Sequence, residues 1–247
     1  MNIKKLTELL IYELRVYFKG NKFLMPLLCL LIILSMMYSV GPLSVVSGFS
    51  MTGFPVFIIM AWVGFGIPSS ENTAIEQIIF LRIKNKLLYY ISKIVFLLVL
   101  GCMVSLICLI VPLIVHIKSP LGLFDRPLRI FDIVNAFFLL NGCAFAGGSL
   151  GSLFPPAVMH NQKQAALLTT LVTVLTIIQT SVIKEFPILK YILWTLPPLD
   201  NVMTLRTDTD FFQSAQTVKI FLSLMTYGAI YSMIKTVISY WKKFDYA

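Results

Sequence analysis

The stretch ISKIVFLLVLGCMVSLICLIVPLIV, residues 91–115, decides the fold of this chain. A helix needs about 20 predominantly apolar residues to cross the hydrocarbon core of a bilayer, and this stretch reaches that length. Five further apolar stretches are of comparable length, namely Asn21 to Val40, Met51 to Pro68, Ile133 to Phe154, Ala165 to Ile183 and Val218 to Ile238. The sequence therefore predicts an all-α integral membrane protein with six transmembrane helices in one domain, residues 1–247.

The composition agrees with a membrane domain and leaves no room for a separate soluble one. Of the 247 residues, 58% are hydrophobic and 13% are charged, and the mean hydropathy is +0.87. No residue between Lys22 and Glu71 is charged, and none between Asp132 and Lys163, so charges cluster at the ends of the predicted spans as lipid requires. The net charge of +9 therefore indicates attraction to anionic lipid head groups, and not nucleic-acid binding.

The Lys and Arg residues set the expected orientation, because positive residues near span ends tend to stay in the cytoplasm. If the first span starts inside, thirteen of the 20 Lys and Arg residues lie on the inner side and both termini are cytoplasmic. The uncharged first outer loop, Gly41 to Ser50, agrees with that orientation. We expect a multi-pass protein of the cytoplasmic (inner) membrane of a bacterium.

Residues 1–20 predict an amphipathic helix that lies along the inner membrane interface. Its apolar side chains and its charges recur at helical spacing on opposite faces. The apolar set is Ile3, Leu6, Leu10, Leu14 and Tyr17, and the charged set is Lys4, Glu8, Arg15 and Lys19. Such a helix is either an anchor or a platform for a cytoplasmic partner.

A polar face is predicted along the fifth span. Thr169, Thr173, Thr176 and Thr180 advance by four, three and four positions, and Gln179 adjoins them, so all five side chains share one side of the helix. Such a face either packs helices together through hydrogen bonds, or forms a substrate route or dimer face. In the fourth span, the GxxxG from Gly147 to Gly151 predicts close helix packing in preference to a dedicated dimer face.

The longest predicted outer segment, residues 184–217, lies between the fifth and sixth spans. Its density of aromatic and proline residues, including Trp194, Pro197 and Pro198, predicts a folded element of short helices at the outer interface. All four cysteines fall in predicted spans without CxxC spacing, and His116 and His160 belong to opposite membrane faces, so no metal site is expected.

The polar insert between the second and third spans is the strongest functional signal. Thr73 and Glu76 have the spacing of a capping box, which predicts that a short helix begins there. Residue types alone leave two interpretations open, a helix that docks on another protein or a solvated connection between spans.

The run ENTAIEQII at 71–79, followed by ISK at 91–93, resembles the cytoplasmic coupling helix of ABC-2-type exporter permeases. The resemblance extends to the N-terminal interfacial helix, the six spans and a proline-containing outer segment after the fifth span. It implies a coupling segment at residues 71–86. The residues that it implies for contact with the ATPase are Glu71, Thr73, Glu76, Gln77, Phe80 and Arg82.

The resemblance also implies partners and an activity. The chain has no G-x-x-x-x-G-K-[S/T] phosphate loop, so it is expected to be a transport subunit and not an enzyme. A separate ABC ATPase would bind ATP and Mg, and a second permease, giving a homodimer, would complete a complex of two permeases and two ATPases. The expected cargo is an amphipathic or hydrophobic peptide, toxin or drug-like compound; a glycan or lipid-linked polymer is the alternative.

Three other classes of membrane protein are alternatives to an exporter permease. A secondary transporter usually places Asp, Glu or His within its spans, and an intramembrane enzyme needs paired carboxylates or an activated nucleophile, neither of which the spans offer. A ligand-binding membrane subunit of an ABC importer also has six spans and a separate energy source. It would bind one ligand tightly as a monomer.

Overall fold

The computed structural model describes residues 3–67, 79, 86–118, 123–154, 161–208 and 211–244, which are helical apart from their connections. In chain order the helices are α1 Ile3–Lys19, α2 Leu24–Met37, α3 Val45–Gly66, α4 Lys86–Lys118, α5 Ile130–Gly151, α6 Gln162–Ile177, α7 Gln179–Glu185, α8 Lys190–Leu193, α9 Asp200–Asp208 and α10 Ser214–Phe244, with a 3-10 turn at Pro187–Leu189 before α8.

Four of these helices are long and apolar enough to cross a membrane, over Val45–Gly66, Leu88–Lys118, Ile130–Gly151 and Ser214–Ile238. The count rises to as many as six if α1 with α2, and α6 with α7, each form one bent span. The two pairs bend by 75° and 72° respectively. The chain is thus a multi-pass membrane protein.

The first predicted span, residues 21–40, differs from what the structure shows there. Helix α2 has 14 residues, which at 1.5 Å per residue give about 21 Å, short of the hydrocarbon thickness. The apolar stretch continues past Met37, but the chain leaves the helix at Tyr38, whose hydroxyl lies 2.7 Å from Thr52 Oγ1 in α3. The length of an apolar stretch does not by itself predict that the helix ends at such a turn.

Helix α5 is the centre of the bundle and packs against α3, α4 and α10. Every residue from Leu139 to Gly151 is buried. A Cβ atom on Gly147 would meet the Phe57 carbonyl oxygen of α3, and one on Gly151 would meet that of Ala61. The GxxxG therefore lets α5 approach the α3 backbone within one chain, as the helix-packing interpretation predicts.

Two connections between helices, the one before α3 and the one between α4 and α5, meet at one end of the bundle. Leu43, before α3, donates its N–H to the Leu123 carbonyl oxygen (3.0 Å) and accepts one from Asp125 (3.1 Å). The Phe124 ring stacks on Phe49 with centroids 5.7 Å apart, and His116 Nδ1, near the end of α4, accepts the backbone N–H of Leu123 (3.0 Å). Three helix ends are thereby joined.

An ion pair extends this end of the bundle to the start of α10. Arg126 binds Asp132, near the start of α5, through two hydrogen bonds of 2.7 and 3.0 Å. Its guanidinium also lies 4.3 Å from the ring centroid of Phe211, and that of Arg129 lies 4.8 Å from the same ring. Charge-assisted and cation–π contacts thus hold the α4–α5 connection against the chain that leads into α10.

Candidate coupling site at the junction of α1 and α4

The six residues predicted to contact an ATPase lie outside the described residues; they are Glu71, Thr73, Glu76, Gln77, Phe80 and Arg82. From the segment 68–85 the structure describes Ile79 alone. Helix α4 begins at Lys86, directly after this insert. The site is therefore defined by what packs around Ile79 and the first turns of α4.

A buried ion pair joins α1 to α4. Glu13 Oε1 lies 3.4 Å from Lys93 Nζ, and the side chains are only 4% and 12% exposed. Ser92 Oγ donates a hydrogen bond of 2.9 Å to the same carboxylate oxygen. The Lys93 ammonium also lies 5.1 Å from the centroid of the Tyr89 ring, a cation–π distance.

A buried charge is tolerated only when it is paired, and removing one partner leaves the other uncompensated at a cost of about 3–5 kcal/mol. The pair therefore holds α1 and α4 in one register. The pattern of residues 1–20 indicated a helix but assigned Glu13 to neither face. In the structure Glu13 is buried, on the same side of the helix as Leu9 and Tyr17. The signal for Glu13 is its spacing: it stands four residues after Leu9 and four before Tyr17, a carboxylate within an apolar stripe.

An apolar cluster beside the ion pair contacts the insert. Its buried members are Leu9 of α1 and Leu88, Tyr89 and Tyr90 of α4. Two half-buried side chains pack against it, Leu6 of α1 and Ile79 of the insert. Ile79, α1 and the start of α4 thus form one packed unit, which we call the α1–α4 junction.

The predicted polar face of α6 lies inside the chain. Thr169, Thr173 and Thr176 are buried, and Thr180 is half-buried. Each buried threonine hydroxyl donates to a carbonyl four residues earlier in its own helix, at 2.7–2.8 Å. The hydrogen-bonding capacity of these hydroxyls is thus met within α6. The exposed side of α6 is mainly apolar, with Leu167 and Leu171 beside Thr170. A substrate route or dimer face formed by the threonines stays a prediction.

Gln179, at the end of the polar face, is hydrogen-bonded to the segment 184–217. Buried Gln179, the first residue of α7, donates from Nε2 to the carbonyl oxygen of Leu193, the last residue of α8, at 3.0 Å. Trp194 is 75% exposed, and its carbonyl oxygen accepts the Tyr227 hydroxyl of α10 at 2.9 Å. Pro197 is buried and Pro198 half-buried, where the chain turns from α8 into α9.

Asp200, the first residue of α9, is an acid of the outer segment in a partly buried position. Burial raises the pKa of its carboxyl group above the ordinary value. The backbone N–H of Thr180, which the carboxylate accepts, and the charge of Lys184 lower that pKa and offset part of the effect. These contacts connect α9 to the first turn of α7.

No group of three or more His, Cys, Asp or Glu side chains in the described parts of the chain is placed to hold a metal ion. No protein-family model, curated protein or solved structure matches the chain. The geometry of the chain itself is therefore the basis for assigning a function.

Proposed function

We propose that the chain is the transmembrane permease subunit of an ATP-driven exporter of the ABC-2 type. It moves an amphipathic or hydrophobic substrate, such as a peptide, toxin or drug-like compound, outward across the inner membrane of a bacterium. A separate ATPase binds ATP and Mg, and two copies of this chain assemble with two ATPases. Both termini are cytoplasmic, and α1 lies along the inner interface.

The observation that carries this proposal is the α1–α4 junction. A permease that lacks its own ATPase needs a cytoplasmic element whose displacement moves the membrane helices. Ile79 of the insert packs against the apolar cluster that α1 and α4 form together, and the Glu13–Lys93 pair fixes these two helices to each other. A partner that pushes on the insert would therefore shift α1 and α4 together.

The length of α4 supports a cytoplasmic position for the insert. Lys93 and His116 are 23 positions apart on one helix, or about 35 Å, which is more than a hydrocarbon core. His116 belongs to the end of the bundle where residues 43, 123–126 and 211 meet, and Lys93 belongs to the α1–α4 junction. Two clusters at this separation suit opposite sides of a bilayer, and the orientation expected from the Lys and Arg residues assigns the α1–α4 junction to the cytoplasmic side.

In the proposed mechanism, the α1–α4 junction has two positions, which alternate as the ATPases bind and hydrolyse ATP. When the ATPases bind and then hydrolyse ATP, their relative movement displaces the insert, and α4 and α1 follow as rigid elements. Helix α5, packed against α3, α4 and α10, transmits the displacement to the rest of the bundle. The route between two permeases alternates between closed and open states.

The test is affinity purification of the full chain in mild detergent, followed by mass spectrometry. We expect a protein with a G-x-x-x-x-G-K-[S/T] loop to copurify at close to one copy per permease. The double variant Glu76→Gln with Arg82→Gln should lose it. The matched control, Lys184→Gln with Lys190→Gln, changes exposed charges of the outer segment and should keep it.

Recovery of the wild-type chain as a monomer without any ATPase would contradict the exporter function itself. Recovery of the ATPase by both variants alike would contradict only the assignment of Glu76 and Arg82.

A further inference from the structure

An apolar cleft of about 120 Å³ opens where α1 turns into α2. The cleft is lined by Tyr17, Phe18 and Phe23 from this bend, by Val63 of α3 and by Leu100 and Met103 of α4, among others. The Phe18 and Phe23 rings meet edge to face across the bend, with centroids 5.0 Å apart. Helices α1 and α2 meet at an angle of 75° at this bend.

An apolar cavity of this size does not hold water, because water would find no hydrogen-bond partners there. An empty cleft would also forfeit dispersion contacts along its lining. In a membrane the hydrocarbon available at every site is the acyl chain of a lipid. The occupant with the right chemistry is therefore an acyl chain.

The residues beside the cleft are cationic. Lys19 follows Phe18 directly and Lys22 precedes Phe23, and both side chains are exposed. The sequence has no Asp or Glu from residue 14 to residue 70. The nearest preceding acid, Glu13, is buried and paired with Lys93, so it does not neutralise these lysines. A lipid with a negative head group matches this charge.

We propose that an anionic phospholipid binds at the α1–α2 bend, with one acyl chain in the cleft and its phosphate against Lys19 and Lys22. The lipid fills the space at the bend, and its single negative charge offsets one of the two positive charges beside it. It thereby holds α1 at its angle to α2. This inference requires a membrane protein and does not depend on the exporter function.

The head-group part is tested by native mass spectrometry of the full chain with phosphatidylglycerol or phosphatidylcholine of identical acyl chains. The wild type should retain one phosphatidylglycerol with a preference of about 10- to 30-fold over phosphatidylcholine, the gain expected from two basic residues at a lipid surface. Lys19→Gln with Lys22→Gln should abolish that preference. The control Lys4→Gln with Lys5→Gln removes the same charge from the far end of α1 and should keep it.

The acyl-chain part is tested by filling the cleft. Met103 lines the cleft and is 42% exposed, so Met103→Trp adds volume without disturbing the core. Leu106→Trp, on the same helix at 48% exposure and outside the lining, is the matched control. Met103→Trp should lose the retained lipid and Leu106→Trp should keep it, while both variants remain helical by circular dichroism.

Three results would overturn the proposal. If the wild type retained phosphatidylglycerol and phosphatidylcholine equally, Lys19 and Lys22 would not recognise the head group. If Met103→Trp retained the lipid as the wild type does, the acyl chain would not occupy the cleft. If Met103→Trp lost the dimer but kept the lipid, the cleft would be occupied by a second copy of the chain and not by an acyl chain.

Discussion

Glu13 shows why one buried charge matters in a chain that otherwise keeps its charges at the ends of spans. Its carboxylate is surrounded by the Ser92 hydroxyl at 2.9 Å and the Lys93 ammonium at 3.4 Å. The pair joins residues 80 positions apart, and in an apolar setting neither charge tolerates the loss of the other. We therefore expect the junction to be sensitive to any change that unbalances it.

Lys93→Met should lower the thermal stability of the detergent-solubilised protein strongly, by about 3–5 kcal/mol, because the buried Glu13 carboxylate would lose the positive charge of Lys93. Glu13→Gln with Lys93→Met should recover most of that loss, since no net charge stays buried. The exposed acid of the same helix provides the control, and Glu8→Gln should change stability by less than about 0.5 kcal/mol. Additive losses in the double variant would show that the two side chains do not interact.

At the scale of elements, small residues explain why α5 lies at the centre of the bundle. Gly147 and Gly151 bring its backbone against that of α3, at Phe57 and Ala61. Such close approach maximises dispersion contacts between helices in lipid, where no hydrophobic effect drives them together. The GxxxG is therefore used within the chain.

Gly151→Leu should separate α3 from α5 and lower thermal stability by several kcal/mol, because the new side chain would occupy the space of the Ala61 carbonyl. Gly66→Ala is the matched control, since a Cβ there meets nothing within 4 Å. It should shift stability by no more than about 1 kcal/mol, the difference in helix propensity. A melting temperature for Gly151→Leu equal to that of Gly66→Ala would argue against the close contact.

The sequence was most informative where a helix is defined by local composition. The four helices of spanning length coincide with four of the predicted apolar stretches, and the threonines at 169, 173 and 176 do share a buried face. The place of Glu13 within an apolar stripe signals its burial, but its pairing with Lys93 could not be predicted from local pattern, because that partner lies on another helix. The early end of α2 depends on the contact of Tyr38 with Thr52, which is equally non-local.

At the scale of the whole molecule, two clusters of contacts lie at different ends of the bundle. One end joins the α2–α3 connection, the α4–α5 connection and the chain before α10, through Leu43, Phe124, Arg126 and Phe211. The α1–α4 junction, beside the insert, forms the other. The proposed orientation assigns the first end to the outside and the second to the cytoplasm.

Labelling of single cysteines with a membrane-impermeant maleimide tests this orientation. In a background where Cys29, Cys102, Cys108 and Cys143 are replaced by Ala, Trp194→Cys should react in intact cells, because Trp194 is exposed in the outer segment. Lys5→Cys, exposed on α1, should react only after the cells are opened. The reverse pattern would invert the topology, and reaction of both in intact cells would contradict the alternation of spans.

The central claim is that the insert docks on an ATPase, and photo-crosslinking in living cells tests it most directly. A photoreactive phenylalanine analogue in place of Phe80 should form a crosslink to a protein that carries the G-x-x-x-x-G-K-[S/T] loop. The same analogue in place of Trp194, on the outer segment, should not. Crosslinks from position 80 to lipid alone, or to the same proteins as from position 194, would contradict the account.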